Sequence, residues 1–226
     1  MTLVWNSKNF LDKLAHQLIH EIAPNNAIVT FADNSDVIGA FAEASVRQFV
    51  SKMVAPARVS TGAVISETLC RNPAEVPQID TIIWTPTPLP AIFEVGDFAL
   101  VPNTSVHGIL EIKRSNYSAV GKAIGTRLAR CNDLVRPLIE TEKQLDGRFP
   151  MGLGVICLYD PAQSDKPLSE LLDSGRVVSL LTKKDGKIVP TIEGVYRFID
   201  FLVMVRLRAK TTDGFILSHY GEIPFL

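Results

Sequence analysis

The sequence predicts an α/β fold with a central mixed β-sheet flanked by helices on both faces. Three observations carry that prediction. Short runs of β-branched and apolar residues, such as Thr81-Ile82-Ile83-Trp84 and Gly108-Ile109-Leu110, are bounded by loop residues and read as strands. Between them lie longer stretches whose apolar residues recur every three or four positions, as on a helix with one buried face. The chain has 226 residues and 46% hydrophobic content, enough for one sizeable core. A single domain over 1–226 is expected, with an N-terminal helix over 7–23, a core over 36–145, and further strands and a helix over 150–226.

Taken in order, Ser7 caps the first helix, and Phe10, Leu11, Leu14, Leu18 and Ile22 make its apolar stripe up to Pro24. His16 and His20 stand four apart, but no third ligand is near, so they read as surface residues. Asn34, Ser35 or Asp36 caps a second helix to about Val54, with Val37, Ile38, Phe41, Phe49 and Met53 on its buried face. A strand over 59–66 carries Gly62 as a bulge or point of close approach. A loop over 67–77 precedes the strand 78–84. The prolines at 86, 88 and 90 exclude a central strand and predict a stiff surface loop. An edge hairpin around Gly96 follows, over 91–93 and 98–101, with Glu94 and Asp97 solvated near its turn. After the strand ending at Lys113, Ser118 caps a long helix over 119–144. A buried strand over 152–159, a short helix over 167–172, and a hairpin over 177–182 and 187–189 around Asp185-Gly186 come next. The last helix runs to about Lys210, with Ile192, Val195, Ile199, Leu202 and Val203 inward. The apolar tail over 215–226 packs on the domain's own core or serves as a dimer contact.

Composition narrows function. A net charge of −1 gives no global basic field, so any nucleic-acid site must come from local clustering. The cysteines, Cys70, Cys131 and Cys157, lack the spacing of a structural zinc site or a disulfide framework. They fit a reducing cytoplasm. No apolar run is long enough to span a bilayer or to act as a signal peptide, so no membrane partner is expected. No glycine-rich phosphate loop and no Gly-x-Ser-x-Gly turn occurs.

Two strands carry charge inside apolar runs: Gln78-Ile79-Asp80-Thr81-Ile82-Ile83-Trp84 and His107-Gly108-Ile109-Leu110-Glu111-Ile112-Lys113. Burying charge is costly unless it is paired or binds metal. Residues two apart in a strand share a face, so Gln78 goes with Asp80 and Glu111 with Lys113. If the strands are neighbours, two carboxylates, an amide and an ammonium meet at one end of a sheet. That set suits a hard divalent cation with a lysine beside it. The alternative is a partly buried ion-pair network without chemistry.

Asp80 followed by Glu111-Ile112-Lys113 resembles the Asp…(Asp/Glu)-x-Lys signature of the PD-(D/E)XK nuclease superfamily, the restriction-endonuclease-like fold. The surroundings resemble one branch of it, a domain of unknown function (DUF6602). The residues that carry this are Gly39, Glu43 and Arg47, then Thr61-Gly62, Gln78-Ile79-Asp80, Pro90, Val101-Pro102 and Glu111-Ile112-Lys113, over roughly 36–116. Ile79 stands where the superfamily often has proline, and Arg114 precedes Ser115 where the branch more often has serine directly.

The resemblance implies a restriction-endonuclease-like core and a magnesium- or manganese-dependent nuclease acting on DNA, in defence against foreign DNA. It also implies that Glu43 leans over the sheet toward the metal; the alternative is a surface Glu43–Arg47 pair. Asp80 and Glu111 would hold the ion, with the Ile112 carbonyl as a further ligand. Lys113 would orient the attacking water or stabilise the transition state, and Gln78 would orient water or contact phosphate. Arg47, Arg114, Lys122, Arg127 and Arg130 are the candidates for phosphate contact, against a solvated helix face. A homodimer or a regulating protein partner is compatible with the sequence. The competing reading is a binding or scaffold module that keeps the fold and does no chemistry.

Overall fold

A computed structural model describes residues 7–22, 34–65, 78–87, 89–113, 152–159, 177–184, 187–190, 194–203, 205–206 and 209. Eight strands form one mixed sheet: β1 (Arg58–Ile65), β2 (Ile79–Trp84), β3 (Phe93–Val95), β4 (Phe98–Pro102), β5 (Val106–Lys113), β6 (Gly152–Tyr159), β7 (Val177–Lys184) and β8 (Lys187–Pro190). Their spatial order is β3-β4-β1-β2-β5-β6-β7-β8. β2 lies between β1 and β5 and is antiparallel to both. β1 and β4 are parallel, as are β5, β6 and β7, while the β3–β4 and β7–β8 hairpins are antiparallel. The hairpin around Gly96 is thus an edge, and β2, buried along its whole length, is central.

Alternation along β2 and β5 sorts the core into two faces. Ile83, Leu110 and Ile112 join one cluster with Leu18, Val46, Phe49, Val50, Phe198 and Leu202 from the helices. Ile82, Trp84 and Ile109 join the other with Val64, Ala99 and Val101. The first face is covered by α1 (Ser7–Ile22), α2 (Ser35–Val54) and a helix over 194–203 that continues at 205, 206 and 209. The helices expected over 119–144 and 167–172, and the tail, lie outside the described residues.

The helix starts follow their caps. Asn34 caps α2, its side-chain oxygen accepting from the Asp36 amide at 2.9 Å. α1 is bound to its neighbours by polar contacts at both ends. Lys52 Nζ meets Glu21 Oε1 at 2.8 Å, and the Tyr196 hydroxyl of the last helix donates to Asp12.

The buried faces keep most of the expected residues, with Ile38, Phe49, Val195, Ile199 and Leu202 inward, and differ at a few positions. On α2, Ile38, Ala42, Val46, Phe49, Val50 and Val54 face the sheet, while Val37 and Phe41 are exposed. Ala42 lets the helix approach closely; hydrophobic size alone had favoured Phe41. On the last helix Val195, Phe198, Ile199 and Leu202 are buried and Val203 is exposed. Phe10 of α1 is also exposed.

Gly62 is the close approach the sequence indicated. Its φ of +141° is a backbone state that side chains disfavour, and a Cβ there would stand 2.0 Å from the Ala99 carbonyl oxygen. Only glycine lets β1 pair with β4 at this point.

Candidate metal centre

The start of β2 and the end of β5, which are neighbouring strands, carry the two predicted carboxylates. Thr81 pairs with Leu110 across the antiparallel ladder; Asp80 is the next residue outward on β2, as Glu111 is on β5. Asp80 is buried, 8% exposed, and Glu111 is half-buried.

The Asp80 carboxylate is held by the backbone. The Ile112 amide donates to its Oδ2 at 2.8 Å. In a strand the N–H and C=O of one residue leave on the same side. The Ile112 carbonyl therefore also faces the β2 side of β5, beside Asp80. Two carboxylates and a carbonyl make an all-oxygen donor set. That set fits magnesium, which takes one or two carboxylates and keeps several waters. Among the described residues no group of three or more His, Cys, Asp or Glu side chains that could hold a metal ion gathers.

The other predicted residues fall as follows. Gln78 is exposed and directly precedes β2. Lys113 is the last residue of β5, paired in parallel with Cys157 of β6; its side chain lies outside the described residues. Glu43 is half-buried on α2, its Oε2 3.8 Å from Arg47 Nη1. Arg47 Nη1 in turn donates to the Asp80 carbonyl at 2.9 Å. Arg114, Lys122, Arg127 and Arg130 lie outside the described residues.

Two participants were not anticipated. The Ile112 amide was one; only the strand register reveals which amide faces Asp80. The other was Thr61, whose hydroxyl donates to the Ile79 carbonyl at 3.0 Å and steadies the start of β2 from β1. The sequence picks out Thr61-Gly62 only as a pair that carries the resemblance, with no bond assigned to the threonine.

No protein-family model and no curated protein matches the chain. Solved structures do. NucC of E. coli MS115-1, in its cAAA-bound form, superposes with a TM-score of 0.52 at 14% identity, over 90% of this chain and 93% of that one. NucC of P. aeruginosa ATCC27853, also cAAA-bound, gives 0.52 at 13% identity, over 89% and 92%. This chain shares its fold with NucC. At such identity the likeness is one of fold. The α/β fold with a central mixed sheet, expected from the sequence, is the fold found. No helix among the described residues is long and apolar enough to cross a membrane.

At the far end of β2 a second polar group is structural. The Thr85 hydroxyl donates to the Thr87 carbonyl at 3.0 Å and lies 2.8 Å from His107 Nε2. A hydroxyl has one proton to give, so Nε2 is the donor to Thr85 Oγ1. Trp84 Nε1 donates to Ser60 Oγ at 3.1 Å, and Arg58 stacks 5.3 Å above the Trp84 ring. These contacts seal the end of the sheet away from Asp80.

Proposed function

We propose that this chain is a metal-dependent nuclease that cleaves phosphodiester bonds in DNA. The observation that carries the reading is the Asp80 carboxylate of β2 accepting from the Ile112 amide of neighbouring β5, next in the chain to Glu111. Asp80, Glu111 and the Ile112 carbonyl would hold a magnesium or manganese ion. When bound, such an ion lowers the pKa of its water and offsets charge growing on the phosphoryl oxygens.

The chain's own residues do the rest. The amide bond to Oδ2 restricts Asp80 to one orientation, which limits the reorganisation needed on binding. Lys113, two residues beyond Glu111 at the end of β5, would orient the attacking water or stabilise the pentavalent phosphoryl group. Gln78, directly before β2, would contact water or phosphate. Glu43 approaches from α2. Arg114, Lys122, Arg127 and Arg130 supply phosphate contacts along the strand. We read 1–226 as one domain, because all eight strands join one sheet. The setting proposed is the cytoplasm, in defence against foreign DNA, supported by the superfamily signature and the fold shared with NucC.

The experiment is incubation of the purified protein with plasmid and single-stranded DNA in Mg²⁺ or Mn²⁺, against EDTA. Cleavage that needs the metal and is lost in Glu111→Ala is the expected result. Cleavage by Glu111→Ala at the wild-type rate removes the assignment. Absence of cleavage in every metal favours the silent scaffold.

A further inference from the structure

The strand that presents Asp80 is irregular at that residue. Ser60 of β1 pairs with Ile82, and Gly62 with Ile79. Two steps along β1 thus answer three along β2, which places a bulge around Asp80 and Thr81. A bulge takes residues out of the ladder and re-aims a side chain, and bulges are over-represented beside active sites. Here the displaced carbonyls need partners other than β1 amides. The Thr61 amide is spent on the Asp97 carbonyl at 2.7 Å. Thr61 Oγ1 takes the Ile79 carbonyl, and Arg47 Nη1, reaching down from α2, takes the Asp80 carbonyl at 2.9 Å.

Arg47 is placed for this and not for solvent. Its side chain is 15% exposed, and its Nε is buried without a hydrogen-bond partner. A guanidinium carries five N–H donors in a rigid fork, so it holds a carbonyl at a defined angle. Glu43 lies one helical turn away at 3.8 Å.

We infer that Arg47 is a positioning residue for the metal centre and not a phosphate contact. It pins the bulged Asp80 carbonyl, and the pinned bulge aims the Asp80 carboxylate at the Ile112 amide and the ion. This rests on the metal site proposed above. Partners that orient a metal ligand, when removed, commonly weaken metal affinity by about 10–100-fold.

The test is Mn²⁺ titration by calorimetry on the full chain, comparing wild type, Arg47→Met, Arg47→Lys and Asp80→Ala, with melting in EDTA as the check on folding. Arg47→Met should fold and bind Mn²⁺ about 10–100-fold more weakly. Arg47→Lys, which keeps one charged donor, should bind more tightly than Arg47→Met. Asp80→Ala should show no binding. Unchanged affinity in Arg47→Met, with binding lost in Asp80→Ala, overturns the role of Arg47 and leaves the metal site standing. Equal affinity in Arg47→Lys and Arg47→Met overturns it too. Binding by Asp80→Ala at wild-type affinity overturns the metal site itself and this inference with it. If Arg47→Met does not fold, Arg47→Gln, neutral and too short to reach the carbonyl, takes its place with the same outcomes.

Discussion

Asp80 Oδ2 accepts a 2.8 Å hydrogen bond from the Ile112 amide, joining β2 to β5 through a side chain just where their recorded register ends. A carboxylate buried to 8% exposure would be costly without such a donor. Charge-assisted bonds of this type contribute about 1.5–3 kcal/mol. The same bond that makes Asp80 tolerable in the core also fixes its orientation, so fold and site share one contact.

That sharing separates the two carboxylates by mutation. Asp80→Ala and Glu111→Ala should both abolish metal-dependent cleavage of plasmid DNA. Asp80→Ala also orphans the buried Ile112 amide, at a cost of about 1–3 kcal/mol. Glu111→Ala leaves the Asp80–Ile112 bond in place and should melt above Asp80→Ala. Circular-dichroism melts in EDTA, beside the cleavage assay, check both halves. An Asp80→Ala protein that melts with or above Glu111→Ala would show that the amide bond contributes little.

Gly62→Ala should destabilise the chain although it adds one methyl. The substitution forces a side chain into φ +141° and drives Cβ to 2.0 Å from the Ala99 carbonyl oxygen. Strain of this kind costs on the order of 1–3 kcal/mol before the clash is counted. In a chain of this size each kcal/mol lowers Tm by about 2–4 °C. Because β1 also braces the start of β2 through Thr61, Mn²⁺ affinity should fall with stability. A melt within 1–2 °C of wild type, on the scale of that relation, would contradict the close approach.

The strands of the site were legible because charge in a β-branched run is conspicuous. Asp80 and Glu111-Ile112-Lys113 stand out for that reason, and their two strands are neighbours in the sheet. The β3–β4 and β7–β8 hairpins were legible from their turn residues, but the longer-range strand pairing was not. The parallel β1–β4 contact joins segments separated by β2, and no local pattern encodes it. Nor was the role of Arg47: a lone arginine on a helix reads as solvent-facing or phosphate-facing. Only the bulge in β2 shows that a carbonyl is waiting for it. On α2, Ile38 and Phe49 are buried as the sequence indicates, but Phe41 is exposed and Ala42 is buried, because packing against a sheet selects small residues that hydrophobicity ranks below Phe41.

The contact between Tyr196 and Asp12 joins the last helix to α1, and it should make stability depend on alkaline pH. The hydrogen bond to Asp12, then burial and the Asp12 charge, raise the Tyr196 hydroxyl above its ordinary value. A group whose pKa is raised on folding stabilises the fold fully below its unfolded value, about 10 for tyrosine. The contribution is lost as pH climbs through the higher folded value. Tyr196→Phe should therefore melt below wild type at pH 7 to 9, and the gap should narrow above about pH 10. A gap that is constant from pH 7 to 11 would mean that the hydroxyl contributes through packing alone.

On the proposed function, the manner of holding DNA follows from the charge and from the burial of Arg47. The chain carries a net charge of −1, so affinity must come from a local strip. With Arg47 turned to the Asp80 carbonyl, the candidates left are Lys113, Arg114, Lys122, Arg127 and Arg130. Each neutralised phosphate on duplex DNA releases counterions and contributes about −0.9 to the slope of log K against log salt. Replacing Lys122, Arg127 and Arg130 together should flatten that slope by about 2.7. It should also weaken binding alike on all sequences, because phosphate contacts carry no sequence information. Arg47→Met should leave the slope unchanged. Binding measured in Ca²⁺ across several salt concentrations reads both numbers at once. A triple variant with the wild-type slope would make that segment a solvated face and send the search for the DNA path elsewhere. A flatter slope in Arg47→Met would return Arg47 to the phosphate contacts and remove it from the metal centre.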